Sequence, residues 1–184
     1  MKALVVGTGT SLDRYDVQYA ATKVDLTIAI NNAIMMLPNA DICYSGSSRW
    51  WNYHGPFIDW YKGERICATG STPYAKTIPS EKTTKGFNLE QVNRGLHSGF
   101  GAINLALLRG AKEIYLLGFD MRGFSHFFGE HPEALQDESS VEEWIQEFNE
   151  VAPVLDALGV EIINCTPKSM LKCFKKLTLG GALP

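Results

Sequence analysis

Six short apolar runs, most of them separated by stretches with helix character, limit this chain to a narrow set of folds. They are Ala3–Val6, Leu26–Ile30, Asp41–Tyr44, Arg65–Ala68, Glu113–Leu117 and Glu161–Asn164. Most are continuously apolar rather than alternating, the pattern of strands buried on both faces of a parallel sheet. Parallel neighbours need long crossover connections, and helices usually supply them. The clearest helix pattern runs from Ser98 to Arg109, with Phe100, Ile103, Leu107 and Leu108 as its apolar stripe and Gly110 as its stop. A second starts near Ser139–Trp144, where Ser140 and Glu143 have capping-box spacing, and continues to Leu158 with a kink expected at Pro153. A third is expected over Pro167–Leu177, with Thr166 as N-cap and Pro167 at the first helical position. The fold expected is a single α/β domain spanning 1–184. It is Rossmann-like and doubly wound, with a mainly parallel sheet and helices on both faces.

At 184 residues the chain can bury one proper core without staples. Its net charge of −3, with no basic cluster beyond "KCFKK", argues against nucleic acid as the main partner. Cys43, Cys67, Cys165 and Cys173 contain no C-x-x-C and read as reduced thiols of a cytoplasmic protein. The chain enters a strand directly, with no leader pattern and no apolar stretch long enough to span a bilayer. Two regions break the strand–helix rhythm, 70–97 and 122–138, and loops of that length in a compact domain tend to carry function. Tyr74 in the first of them is a candidate lid residue. The tail "TLGGALP" reads as frayed or as a contact with a second subunit, so a homo-oligomer is one expectation.

In an open parallel sheet, ligands bind beyond the carboxyl ends of the strands. After the first strand come Gly7, Thr8, Gly9, Thr10 and Ser11, a turn able to aim backbone N–H groups at an anion. The same glycines also suit a tight turn and nothing more. The stretch is not G-x-G-x-x-G, since Leu12 fills the last position. After the second strand come Asn31 and Asn32. After the third come Ser45 to Arg49, after the fifth Gly118, Phe119 and Asp120, and after the sixth Asn164, Thr166 and Lys168. Such a rim suits phosphate and sugar hydroxyls better than an apolar ligand. Ser98 and Gly99 open a helix, whose N-terminus favours an anion. His126 and His131 have ordinary pKa values of about 6.5, suited to general-base work near neutral pH. Trp50, Trp51, Tyr53, Trp60 and Tyr61 read as a helix packed on the sheet, with a stacking platform as the alternative. The sequence shows no P-loop, metal triad or nucleophile elbow.

The block "SGFGAINLALLRGAKEIYLLGFDM" (Ser98–Met121) resembles the helix–strand unit of the small bacterial sialyltransferases. "SHFFGEH" resembles their histidine segment, "CTPKSMLKCF" their closing helix, and "VGTGTSL" their "GNGPSL" opening. The opening and "G-x-D" elements also resemble the motility-associated-factor family and its archaeal hydroxymethylpterin pyrophosphokinase relatives. The resemblance implies that Gly7–Ser11 and Asn31 line a cytidine monophosphate donor site and that Ser98 and Gly99 face its phosphate. It also implies that His131, or else His126, is the base that deprotonates an acceptor hydroxyl, with no cofactor or metal required. The pyrophosphokinase likeness implies instead a Mg²⁺-dependent diphosphate transfer, with Asp120 as the acidic candidate. A non-catalytic binding protein that kept the fold is the third reading. The chain departs from the sialyltransferase pattern in three places. Thr8 replaces Asn, Thr10 replaces Pro, and the segment after Met121 is too short for a tyrosine-bearing lid.

Overall fold

The computed structural model describes residues 1–82, 87–123, 125–135 and 140–184. Parts of both long loops, including Phe124, therefore lie outside the described residues. The strands are β1 (Lys2–Val6), β2 (Leu26–Ile30), β3 (Ile42–Ser45), β4 (Glu64–Cys67), β5 (Lys76–Thr77), β6 (Ser80–Glu81), β7 (Val92–Asn93), β8 (Glu113–Leu117), β9 (Glu161–Asn164) and β10 (Lys175–Lys176). The helices are α1 (Arg14–Ala21), α2 (Ser48–His54), α3 (Ser98–Leu108), α4 (Val141–Ala157) and α5 (Leu179–Ala182). Eight strands form one sheet in the order β10-β9-β8-β1-β2-β3-β4-β5, and every pairing is parallel. The six apolar runs are β1 to β4, β8 and β9, so the expected doubly wound α/β architecture is the one observed.

Alternate residues of β1 show why both faces are covered. Ala3 and Val5 join Phe100, Ile103, Phe148 and Leu155 of α3 and α4 in one core cluster. Leu4 and Val6 join Val17, Trp50 and Trp51 of α1 and α2 in the other. Trp51 is fully buried and donates its indole N–H to the Ile66 carbonyl (3.0 Å), so the tryptophan helix packs on the sheet, but it ends at His54 and leaves Trp60 and Tyr61 outside it. The four cysteines are free thiols. Among the described residues no helix is long and apolar enough to cross a membrane.

Ser140 and Glu143 form the anticipated capping box, and α4 continues through Pro153 as one helix. Three expectations need correction. Residues Pro167–Leu177 are not a helix but turns leading into β10. Thr166 does not cap them, because its hydroxyl accepts the Phe119 N–H (3.0 Å), while the Ser169 hydroxyl donates to Phe119 O (2.6 Å) and Met170 N–H to Asp120 O (2.9 Å). These bonds to the segment after β8 outcompete intrahelical bonding. The tail is not frayed: α5 is capped by Thr178, Leu183 is buried, and Tyr19 of α1 donates to Leu183 O (2.9 Å). Tyr74 is no lid either, since its ring sits where a Cβ on Gly55 would lie, 2.3 Å from the Tyr74 Cγ.

Candidate functional site

The chain runs from β1 outward through β2, β3 and β4, then returns to place β8 on the other side of β1. The topological switch point therefore lies between β1 and β8, where open α/β sheets form their ligand crevice. A cleft of about 470 Å³ opens there. It is lined by Gly7, Thr8 and Gly9 after β1, Asn31 after β2, and Ser98 and Gly99 at the start of α3. Asp120 after β8, His126 and His131 complete the set of expected residues on its walls. Thr10, Ser11 and Asn32 do not line it. Thr10 is exposed, Ser11 is bonded to Asp120, and the Asn32 side-chain oxygen accepts the Trp50 indole N–H (2.7 Å).

The glycine turn uses its backbone differently from the anion-cradle expectation. Gly7 N–H donates to Leu117 O (2.8 Å) and Gly9 N–H to Gly118 O (2.9 Å). Ser11 N–H donates to Asp120 Oδ1 (3.1 Å), and its hydroxyl to Oδ2 (2.9 Å). Three N–H groups of the turn are thus spent on the last residue of β8 and the segment that follows it. A Cβ on Gly9 would lie 1.8 Å from Asp120 Oδ2 and 2.7 Å from Gly118 O, and one on Gly7 would lie 2.6 Å from Gly118 O. The glycines let two loops pack backbone to backbone at the switch point, and Asp120 is the clasp between them.

Among the described residues, two that are not glycine adopt the left-handed backbone conformation, Asn31 (φ 51°) and Met121 (φ 50°), and both line the cleft. Strain of this kind persists only where surroundings enforce it, and it concentrates at binding sites. The Asn31 Oδ1 is buried without a hydrogen-bond partner. At the α3 entrance, Gly99 N–H donates to His97 Nδ1 (3.0 Å) and the Ser98 hydroxyl accepts from Gly46 N–H (3.1 Å). The helix therefore offers the cleft the Ser98 N–H and hydroxyl.

The histidine segment lies across the mouth as a strap. His126 bridges antiparallel to Gly9, and Phe127 N–H donates to Thr8 O (3.0 Å). Thr8 Oγ1 and His126 Nδ1 share a 2.9 Å hydrogen bond. The His126 ring stacks on Phe128 (centroids 4.9 Å apart) and lies 4.5 Å from the His131 ring. Arg49 ties the far end by donating to Ala134 O. Burial lowers the His126 pKa to about 4, with His131 adding to the effect and the Thr8 bond opposing it. Burial also lowers His131, whose Nδ1 is buried without a partner. Both rings are neutral at pH 7, the form that accepts a proton.

Sequence reasoning missed His97, Met121, Arg122 and Trp144 on the cleft wall, and His54, whose ring lies 5.1 Å from that of the lining Trp50. Burial and His131 both lower the His54 pKa. Burial brings His97 down to about 3. The position of His97 directly before the Ser-Gly helix start was the only available signal for it. Among the described residues no group of three His, Cys, Asp or Glu side chains has metal-binding geometry.

No family model and no curated protein matches the chain. Solved structures do match in fold. The sialyltransferase CstII from Campylobacter jejuni, in complex with the substrate analogue cytidine-5'-monophosphate, superposes with a TM-score of 0.55 at 17% identity. That match covers 96% of this chain and 84% of that one. The sialyltransferase CST-II in complex with trisaccharide acceptor and CMP gives a TM-score of 0.56 at 16% identity, covering 100% and 86%. The chain has a sialyltransferase-like fold.

Proposed function

We propose that the cleft between β1 and β8 binds a cytidine nucleotide-sugar and that the protein transfers the sugar to a hydroxyl acceptor. One observation carries the reading. The glycine turn, the α3 entrance and two neutral histidines, contributed by distant parts of the sequence, line one cleft at the switch point. Support comes from the fold it shares with sialyltransferases solved with CMP and with a trisaccharide acceptor. His131 is the base in this reading, and His126, whose Nδ1 shares a hydrogen bond with Thr8, is the alternative. The base takes the proton of the acceptor hydroxyl, and that oxygen bonds to the anomeric carbon. The bond from that carbon to the phosphate oxygen breaks, and the nucleotide monophosphate leaves with the electron pair. Ser98 meets the negative charge growing on the leaving phosphate, together with the positive end of the α3 dipole. The transfer needs no metal ion.

A thermal-shift panel of nucleotides, with and without Mg²⁺, tests the proposal. A ligand at 100 times its dissociation constant stabilises by about 2.7 kcal/mol. Metal-independent stabilisation by cytidine nucleotides is the expected result. A response to ATP only with Mg²⁺ would replace the proposal with diphosphate transfer, and no response to any nucleotide would leave a non-catalytic protein.

A further inference from the structure

Glu147 lies on the inward face of α4, and no motif points to it. It is 4% exposed, and its neighbours on that face are the apolar Phe148 and Val151. Both carboxylate oxygens accept the Leu96 N–H, at 3.0 and 3.1 Å. Gly95 has φ +54°, and a Cβ there would lie 2.5 Å from Glu147 Oε1, so the backbone is drawn tightly onto the carboxylate. His97, the residue after Leu96, packs its ring against Trp144 and Phe148 of the same helix, each at 5.1 Å. Then come Ser98 and Gly99, which line the cleft. One turn of α4 therefore grips the two residues that lead the chain into α3.

A buried carboxylate is a costly way to fasten a loop. Taking its charge out of water carries a large desolvation penalty, which a single backbone N–H repays only in part. Burial pushes this carboxyl up to about 7, with the Leu96 bond and Lys82 opposing and Glu150 adding to the rise. A group kept at such cost points to a use other than stability.

We infer that Glu147 is a positioning residue: its grip on the Leu96 N–H fixes how His97, Ser98 and Gly99 present themselves to the cleft. This rests on the proposed binding of a nucleotide there. Apart from the nucleotide, it makes a claim about backbone order that is measurable alone.

The test compares Glu147→Leu with Glu147→Gln in the full-length protein. Three readouts are taken: melting temperature, amide exchange across residues 95–99, and affinity for cytidine monophosphate. In Glu147→Leu the melting temperature stays level or falls modestly, because the carboxylate's desolvation cost disappears while the Leu96 N–H loses its partner. Exchange at 95–99 accelerates at least tenfold, and affinity falls about tenfold, as losing one charge-assisted hydrogen bond implies. Glu147→Gln keeps an acceptor oxygen and restores both. Should Glu147→Leu fail to fold, Glu147→Met carries the same comparison. Unchanged exchange at 95–99 in the apolar variant overturns the inference, as does failure of the glutamine to rescue. If the wild type binds no cytidine monophosphate, the proposed function falls while the exchange data still decide the role of Glu147.

Discussion

The two long walls of the cleft are built on different principles. Where β1 and β8 end, backbone meets backbone. Gly7 and Gly9 donate to Leu117 and Gly118, and side-chain-free α-carbons allow the approach. Across the mouth, the strap from Ser125 to Leu135 is tied by few bonds: one backbone bond from Phe127 N–H to Thr8 O beside the His126–Gly9 bridge, and the side-chain bonds of Thr8 to His126 and of Arg49 to the Ala134 carbonyl. The first wall cannot shift without breaking bonds at the ends of two central strands. The second can open at the cost of a few hydrogen bonds, as binding loops drawn from the low-stability end of a structure do. The contrast teaches a division of labour in which geometry is fixed by the glycine corner and access is set by the strap.

Substitutions break this comparison most sharply at the glycine corner. Gly9→Val puts a branched side chain onto Asp120 and Gly118 O, so it destabilises the whole fold by about 4 kcal/mol or more. Chemical denaturation measures this. A variant that keeps its stability and loses only ligand binding would show that the glycine serves the ligand and not the packing.

At the strap the expected damage is to chemistry. His131→Ala lowers turnover about 10²- to 10⁴-fold with nucleotide affinity nearly unchanged. His126→Ala serves as the comparison for loop order, since its ring is the one bonded to Thr8. Steady-state kinetics separate them, and equal losses in the two variants would mean that strap order alone is being measured. Because burial lowers the His131 pKa, the acid limb of the rate profile falls below pH 6.5, the ordinary imidazole value.

A smaller effect isolates the Thr8 clasp. Thr8→Val removes one partly buried hydrogen bond, worth about 1 kcal/mol. Amide exchange should speed up at residues 125–129 and stay unchanged in β1 and β8. Uniform acceleration would show that the two walls open together.

Acid gives the gentlest test. Burial lowers the pKa of His97 to about 3 and of His126 to about 4, so in the fold both stay neutral above those values, while the unfolded chain takes up their protons below about pH 6.5. The unfolded state binds more protons in that window, so stability falls as pH drops from 6.5 towards 4. Glu147 has the opposite slope, because its raised pKa makes the fold bind the extra proton between 4.5 and about 7. The histidine slope is therefore best measured in Glu147→Gln. A flat profile there would place these histidines in water.

Strand positions were legible because continuous apolar runs have one common use in an α/β chain. The helices α3 and α4 were legible from stripe, cap and stop signals. The Pro167–Leu177 error has a physical reason. Thr166 and Ser169 look like helix-start residues, but their hydroxyls are spent on Phe119, 47 and 50 residues away in sequence. Local patterns cannot register a competing partner at that distance. The same limit applies to the glycine turn, whose N–H groups looked available until Gly118 and Asp120 claimed them. Nine of the twelve expected site residues line the cleft: the rule of strand carboxyl ends supplied Gly7, Thr8, Gly9, Asn31 and Asp120, the helix start supplied Ser98 and Gly99, and the histidine segment supplied His126 and His131. His97 and Glu147 escaped because a helix entrance and a buried carboxylate acquire their meaning from packing alone.

Calorimetric titration of cytidine monophosphate into the metal-free wild-type protein tests the central claim most directly. The account predicts saturable binding at one site, unchanged by added Mg²⁺ and accompanied by slower amide exchange at Thr8, residues 97–99 and the strap. Absence of binding, or binding that requires Mg²⁺ or leaves those amides unprotected, would contradict it.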